Sequence, residues 1–322
     1  MEHKPTLRVV ILVLCGLMLA SAPGADPTTE SAYRKVLLAD EYALEQVDQL
    51  ISSNEAFKRQ GAGLNDAMIN TKVRSLTDPV REKYDAFLKQ HPKHVKGHLA
   101  YASFLGQFGL TDTAKPHLEE ALRLAPNDPV ALNNAANYYG ANGPARKAFE
   151  LLEKAISLKP NEATYRRNFA SVLLTHRQAA RAYLGVSTEQ EIFARVSLHY
   201  RQALKLAPED FLLATDFAQI HYQLRPFPYT NAVNAWEGAF NLAPSRLEKE
   251  GIMIHLARIH IQAKEYSEAR RNLNGISRPE FQETKSKLLS NLPMAMKKIE
   301  FSTSTKPAPK FNLSTQPPPR NR

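Results

Sequence analysis

Ala121-Leu122-Arg123-Leu124-Ala125-Pro126, Ala155-Ile156-Ser157-Leu158-Lys159-Pro160 and Ala203-Leu204-Lys205-Leu206-Ala207-Pro208 are three versions of one ending. Pro92, Pro126 and Pro160 stand 34 residues apart, and Pro208 and Pro244 continue the series at 48 and 36. A fixed period of this length is the mark of a repeat array, in which each unit buries its apolar face on its neighbours. Such an array is a surface for holding other molecules. What it holds is not written in the repeat itself.

Counting back from each proline shows what the ending closes. Five residues earlier stand Phe87, Ala121, Ala155, Ala203 and Ala239. Eight earlier stand Tyr84, Leu118, Leu152, Tyr200 and Trp236, and twelve earlier Val80, Ala114, Ala148, Val196 and Ala232. Spacings of 3, 4 and 7 place these residues on one helix face. Small side chains let two helices approach, and the large one fills the groove beside them. The proline stops the helix because it has no N–H to give and biases its predecessor away from helix. A first helix precedes each of these, marked by Tyr101-Ala102, Ala135-Ala136, Phe169-Ala170, Phe217-Ala218 and Leu256-Ala257. Glycines 106, 109, 140 and 143 supply the turns where the period is regular. A non-repetitive bundle with chance alanines would not reproduce five such registers.

This pattern resembles the tetratricopeptide repeat family over residues 80–276, about 60% of the chain. The match is fullest at 93–126 and 127–160, while 161–208 carries a 14-residue insertion near 175–190 and 245–276 lacks the closing proline. The first-helix position usually filled by tryptophan holds His98, Leu132 and Arg166. The resemblance implies an all-α solenoid of helical hairpins, wound as a right-handed superhelix, with a concave groove lined by the first helices.

Around this array the chain divides further. Residues 1–25 read as a signal peptide, with Lys4 and Arg8, an apolar stretch over 9–20, then Ser21, Ala22, Gly24 and Ala25. The alternative is an uncleaved membrane anchor, although twelve apolar residues fall short of the ~20 a span needs. The expected location is therefore outside the cytoplasm, periplasmic or secreted. Cys15 is the one cysteine, and Leu14 before it is not the small residue a lipoprotein signal wants. Residues 26–79 read as an N-terminal helical region or degenerate repeat: a flexible leader over 26–33, a helix over 34–60 broken by Gly61 and Gly63, another over 65–76, then 79–90. In the insertion, a long helix over 163–183 ended by Gly185 and a second over 188–206, with Ser187 and Gln190 as capping box, are expected to project from the array. Residues 277–300 read as a capping helix, and 301–322 as a disordered, basic, proline-rich tail.

Of the net charge of +10, five come from residue 297 onward, where Lys297, Lys298, Lys306, Lys310, Arg320 and Arg322 oppose Glu300. This suits weak attraction to anionic lipid or acidic protein. Nucleic acid is a poorer partner, since no basic motif interleaved with aromatics is present. No hydrolase, phosphate-loop or zinc-protease motif appears, so no catalytic residue, cofactor or metal is expected. His91, His94 and His98 come nearest to a metal set but lack an adjoining carboxylate, and His255 and His260 are five apart and should face different ways.

The polar feature of interest lies on the first helices. Asn134 and Asn168 are 34 apart and so occupy equivalent places, flanked by Asn133 and Asn137 and by Arg167 and Ser171. An amide side chain both donates to and accepts from an extended peptide backbone. Some members of the family hold peptides with a ladder of such asparagines, so the resemblance implies a groove formed by Asn133, Asn134, Asn137, Arg167, Asn168, Ser171 and Gln219. The lysine and arginine clamp of the chaperone-binding members is not matched: the corresponding places hold Leu99, Ser103, Asn134, Thr164 and Asn168. The expected function is a non-catalytic adaptor for a peptide or partner protein. The alternative is a membrane-anchored accessory component of a cell-envelope complex. The oligomeric state is not set by the sequence.

Overall fold

In the computed structural model, residues 26–293 are described, and the expectations for 1–25 and for the tail lie outside them. The described residues form fourteen α-helices and no strand. They fall into two compact units that meet between Pro208 and Glu209.

The first unit begins with α1 (Pro27–Arg59) and α2 (Asp66–Gln90). The expected leader is helical. Asp26 caps α1 by accepting from the Thr28 N–H at 3.3 Å, and Tyr33, 3% exposed, donates its hydroxyl to the Lys96 carbonyl at 3.1 Å. The two helices expected over 65–76 and 79–90 are one. Pro79 removes a single ladder bond, which bends a helix more readily than it ends one, and Thr77 and Val80 beside it are buried.

Two regular hairpins follow, α3 (Val95–Gln107) with α4 (Thr111–Leu124) and α5 (Pro129–Asn142) with α6 (Ala145–Leu158). Gly109 lies at φ +70 in the first turn, a conformation that side chains resist. All fifteen stripe positions read from the prolines are buried across both units; Ala121, Ala148, Leu152, Ala155, Val196, Ala203, Ala232 and Ala239 are fully so. Burying a leucine-sized side chain contributes roughly 1.5–3 kcal/mol, so the large members of the stripe add substantially to stability. The departures from tryptophan have a shared chemistry. His98 Nε2 lies 2.9 Å from the Pro92 carbonyl and Arg166 donates to the Pro160 carbonyl at 3.2 Å. Each side chain reaches back six residues to the closing proline. Leu132 has no donor, and Lys154 serves Pro126 instead, at 2.8 Å.

The third hairpin is α7 (Ala163–Thr175) with α9 (Glu189–Leu206), and the insertion between them does not project. The long helix breaks at His176, whose Nε2 reaches the Gly140 carbonyl at 2.6 Å. A short helix, α8 (Arg177–Leu184), turns back onto α6, α7 and α9. Ala180 is fully buried there, and Tyr183 packs its ring 5.0 Å from Phe149 and donates to Glu153 at 2.6 Å. Gly185 ends α8 at φ +64, as expected. The capping box is shifted by one residue from Ser187 and Gln190: Thr188 accepts from the Glu191 N–H, and Glu191 accepts from the Thr188 N–H at 2.8 Å.

The second unit comprises α10 (Phe211–Ile220), α11 (Tyr229–Leu242), α12 (Arg246–Gln262), α13 (Tyr266–Asn274) and α14 (Gln282–Ser290). Arg225–Pro228 form the expected loop, and Tyr229 already opens α11. The last helix is shorter than expected, because residues 279–281 are a 3-10 turn. Leu288 and Leu289 of α14 pack on Ile254, Ala257, Leu273 and Ile276. No helix among the described residues is long and apolar enough to cross a membrane.

Candidate functional site

In the first unit the first helices of successive hairpins touch, α3 with α5 and α5 with α7. Asp128 fixes the start of α5, accepting from the Val130 and Ala131 N–H groups at 2.7 and 3.1 Å, with Pro129 at the first helical position. Glu162 does the same for α7 through Thr164. These caps set the register that brings the asparagines together.

The bond across the seam joins Asn168 to Asn133, not to its equivalent Asn134. Asn168 Nδ2 donates to Asn133 Oδ1 at 2.8 Å. Asn133, only 7% exposed, donates in turn toward Asn134 Oδ1 at 3.4 Å. Three amides therefore run in a chain from α7 to α5. Asn134 and Asn168 are half-buried, as are Asn137 one turn on and Arg167 beside Asn168. An amide has two donor hydrogens and two acceptor lone pairs, so these bonds leave most of its capacity unused. Ser171 belongs elsewhere: its hydroxyl lies 3.2 Å from that of Tyr200 on α9, within its own hairpin. Gln219 is exposed on α10, in the second unit.

Spacing identifies a residue the sequence reading passed over. Val130, Asn133, Asn134 and Asn137 stand at i, i+3, i+4 and i+7, and Val130 is 41% exposed. An apolar side chain thus adjoins the amides at the start of α5. Leu99 on α3, 34 residues before Asn133, is 7% exposed and cannot serve as a clamp.

The histidines are otherwise occupied. His94 caps α3 by accepting from the Gly97 N–H at 2.9 Å. His98 Nδ1 lies 3.1 Å from His117 Nδ1 on α4, a pairing invisible in a sequence that separates them by nineteen residues. Burial, and then His98, hold the His117 pKa below the ordinary value. His255 and His260 face different partners, as their spacing suggests. His255 stacks on Trp236 at 4.0 Å and lies 3.2 Å from the Tyr222 hydroxyl, and His260 meets the Tyr229 hydroxyl at 2.9 Å. Burial, with Arg258 nearby, lowers the His255 pKa to about 4. No group of three or more metal-ligating side chains converges among the described residues.

No protein-family model and no curated protein sequence matches the chain. Solved structures do. PilW, a widely conserved type IV pilus biogenesis factor, is similar over 82% of this chain and 100% of its own, with a TM-score of 0.56 and 12% identity. PilF of Pseudomonas aeruginosa is similar over 76% of this chain and 99% of its own, with a TM-score of 0.50 and 15% identity. Both are tetratricopeptide-repeat structures, and at these identities the likeness is one of fold. The chain has the tetratricopeptide-repeat fold.

Proposed function

We propose that this protein is a non-catalytic interaction scaffold that holds an extended peptide segment of a partner protein along the first helices of its first unit. The observation that carries this reading is the run of amides Asn134, Asn133 and Asn168 across the α5–α7 seam. A peptide backbone offers alternating N–H and C=O groups, and an amide answers both. The two protein–protein bonds orient the side chains before a ligand arrives, which lowers the entropy lost on binding. Val130 supplies an apolar contact at one end, and Arg167 a charge beside Asn168. Asn137 extends the polar strip along α5. Ser171, turned toward Tyr200, and Gln219, in the second unit, have weaker claims.

The test is selection from a random peptide library with the purified chain. Selected peptides are then titrated against wild type and the Asn134→Ala, Asn168→Ala double variant. Loss of affinity in the double variant supports the seam as the site. Equal affinity places the site elsewhere.

A second reading is an exported or membrane-anchored accessory component of a cell-envelope complex. It rests on the basic and apolar segment over 4–20 and on the cationic tail. PilW, the structural neighbour described as a pilus biogenesis factor, agrees with an envelope setting. The intact mass of the native chain decides between a retained and a removed residue 1–25.

A further inference from the structure

Asp40 stands in the middle of α1 and is 6% exposed. It shares its stripe with Tyr33, Val36, Ala43 and Val47, all buried, so a carboxyl group occupies a place that the packing otherwise gives to apolar side chains. Its Oδ2 accepts the Tyr84 hydroxyl of α2 at 2.6 Å. Its Oδ1 is buried and receives a hydrogen bond from no group among the described residues.

The titratable groups facing it are Tyr33 and Glu41 on α1 and Tyr84 on α2; Tyr101 of α3 stacks on Tyr84 at 4.7 Å and 8° and is itself hydrogen-bonded to Arg81 and Asp85. None of the groups facing it brings a positive charge. A buried carboxylate with one hydrogen bond and no counter-charge is costly, whereas the neutral acid is much less so. Burial accordingly pushes the Asp40 pKa up from 3.8 to about 6; the Tyr84 hydrogen bond opposes the rise and Glu41 adds to it.

We propose that Asp40 is a proton-linked fastener of the N-terminal hairpin, holding α1 firmly on α2 and α3 when it carries a proton and less firmly once it ionises. A raised acid binds its proton in the folded hairpin at pH values where the unfolded chain has released it. Its contribution is therefore greatest below about pH 4, declines through pH 6 and is level above. At neutral pH, α1 holds a buried charge that has no counter-charge among the described residues. Its opening uncovers Tyr84 and Phe87, which are 0% and 6% exposed when it is closed. The N-terminal end of the array is thus closed by acid and loosened at neutral pH.

The experiment uses the full chain. The carbon-13 shift of the Asp40 carboxyl is titrated by NMR, and amide hydrogen exchange in α1 is followed over the same range, corrected for intrinsic rates and referred to α5 and α6. The expected midpoint is near 6, and the opening constant of α1 should rise roughly tenfold per pH unit between 4 and 6. Asp40→Asn, which mimics the protonated acid, should abolish that rise and open less than wild type at pH 7. Tyr84→Phe removes the bond that favours the charged form and should move the midpoint further up. A midpoint near 4 in the wild type, or an unchanged rise in Asp40→Asn, overturns the proposal. The wild-type titration decides even where a variant does not fold.

Discussion

Asn168 donates its side-chain amide to the carbonyl oxygen of Asn133 across 2.8 Å, and the two residues sit on neighbouring first helices. Their separation is 35 residues, one more than the repeat. The bond therefore runs diagonally over the seam, and Asn133 is buried by it while Asn134 and Asn168 keep part of their surface. A double-mutant cycle of Asn133→Ala and Asn168→Ala in chemical denaturation should give a coupling of about 0.5–1.5 kcal/mol. Additive effects would mean that the bond contributes nothing.

Glu250 on α12 organises the turn after α13. It is 2% exposed and accepts from the Ser277 N–H at 2.9 Å, the Arg278 N–H at 2.8 Å, the Ser277 hydroxyl at 3.1 Å and Arg246 Nε at 2.8 Å. Burial would raise its pKa, but these donors outweigh burial and bring it to about 2. A depressed acid stabilises the fold above its unfolded pKa and loses that contribution as pH falls toward the folded one. Glu250→Ala should cost the second unit about 1.5–3 kcal/mol, because the Ser277 and Arg278 N–H groups lose a charged acceptor. Glu250→Gln should remove the stability loss that wild type shows between about pH 4.5 and 2, measured by circular dichroism of thermal unfolding.

His255 gives the same unit a separate acid step. Its pKa is lowered to about 4, chiefly by burial. The unfolded chain therefore binds a proton between about pH 6.5 and 4 that the folded one refuses, and stability falls as the pH drops through that window. His255→Phe keeps an aromatic ring on Trp236 and cannot be protonated. Its unfolding midpoint should be flatter over this range than that of wild type.

The α8 helix is held by the packing of Ala180, by the Tyr183 hydrogen bond to Glu153 and by the Arg177–Glu189 ion pair at 3.5 Å. Ala180→Leu adds volume at a fully buried site and should cost about 1–3 kcal/mol. Tyr183→Phe, which removes the bond to Glu153, should cost about 1 kcal/mol. Both should raise exchange in α8 well before α5. Unchanged protection would return the insertion to the projecting form that its sequence suggests.

The fold was legible because its determinants are periodic. The stripe of Ala114, Leu118 and Ala121 and its counterparts is a local pattern that the packing preserves, and Pro92, Pro126, Pro160, Pro208 and Pro244 each stand two residues after its helix stops. The insertion was not legible for the opposite reason. Residues 163–184 contain no glycine or proline, and the break at His176 comes from a distant carbonyl, that of Gly140. The continuous α2 hid behind Pro79, whose missing bond is offset by burial on either side. At the candidate site, the register exposed the asparagines but not their bonding, since sequence equivalence pairs Asn168 with Asn134 while geometry pairs it with Asn133. The His98–His117 pair depends on how α3 and α4 meet, which no spacing rule reports.

The most direct test of the scaffold reading is isothermal titration of a library-selected peptide against wild type and the Asn134→Ala, Asn168→Ala double variant. The amide run predicts at least a tenfold loss of affinity, about 1.4 kcal/mol, measured at a temperature where both free proteins are folded. Equal affinity for the two proteins would contradict it.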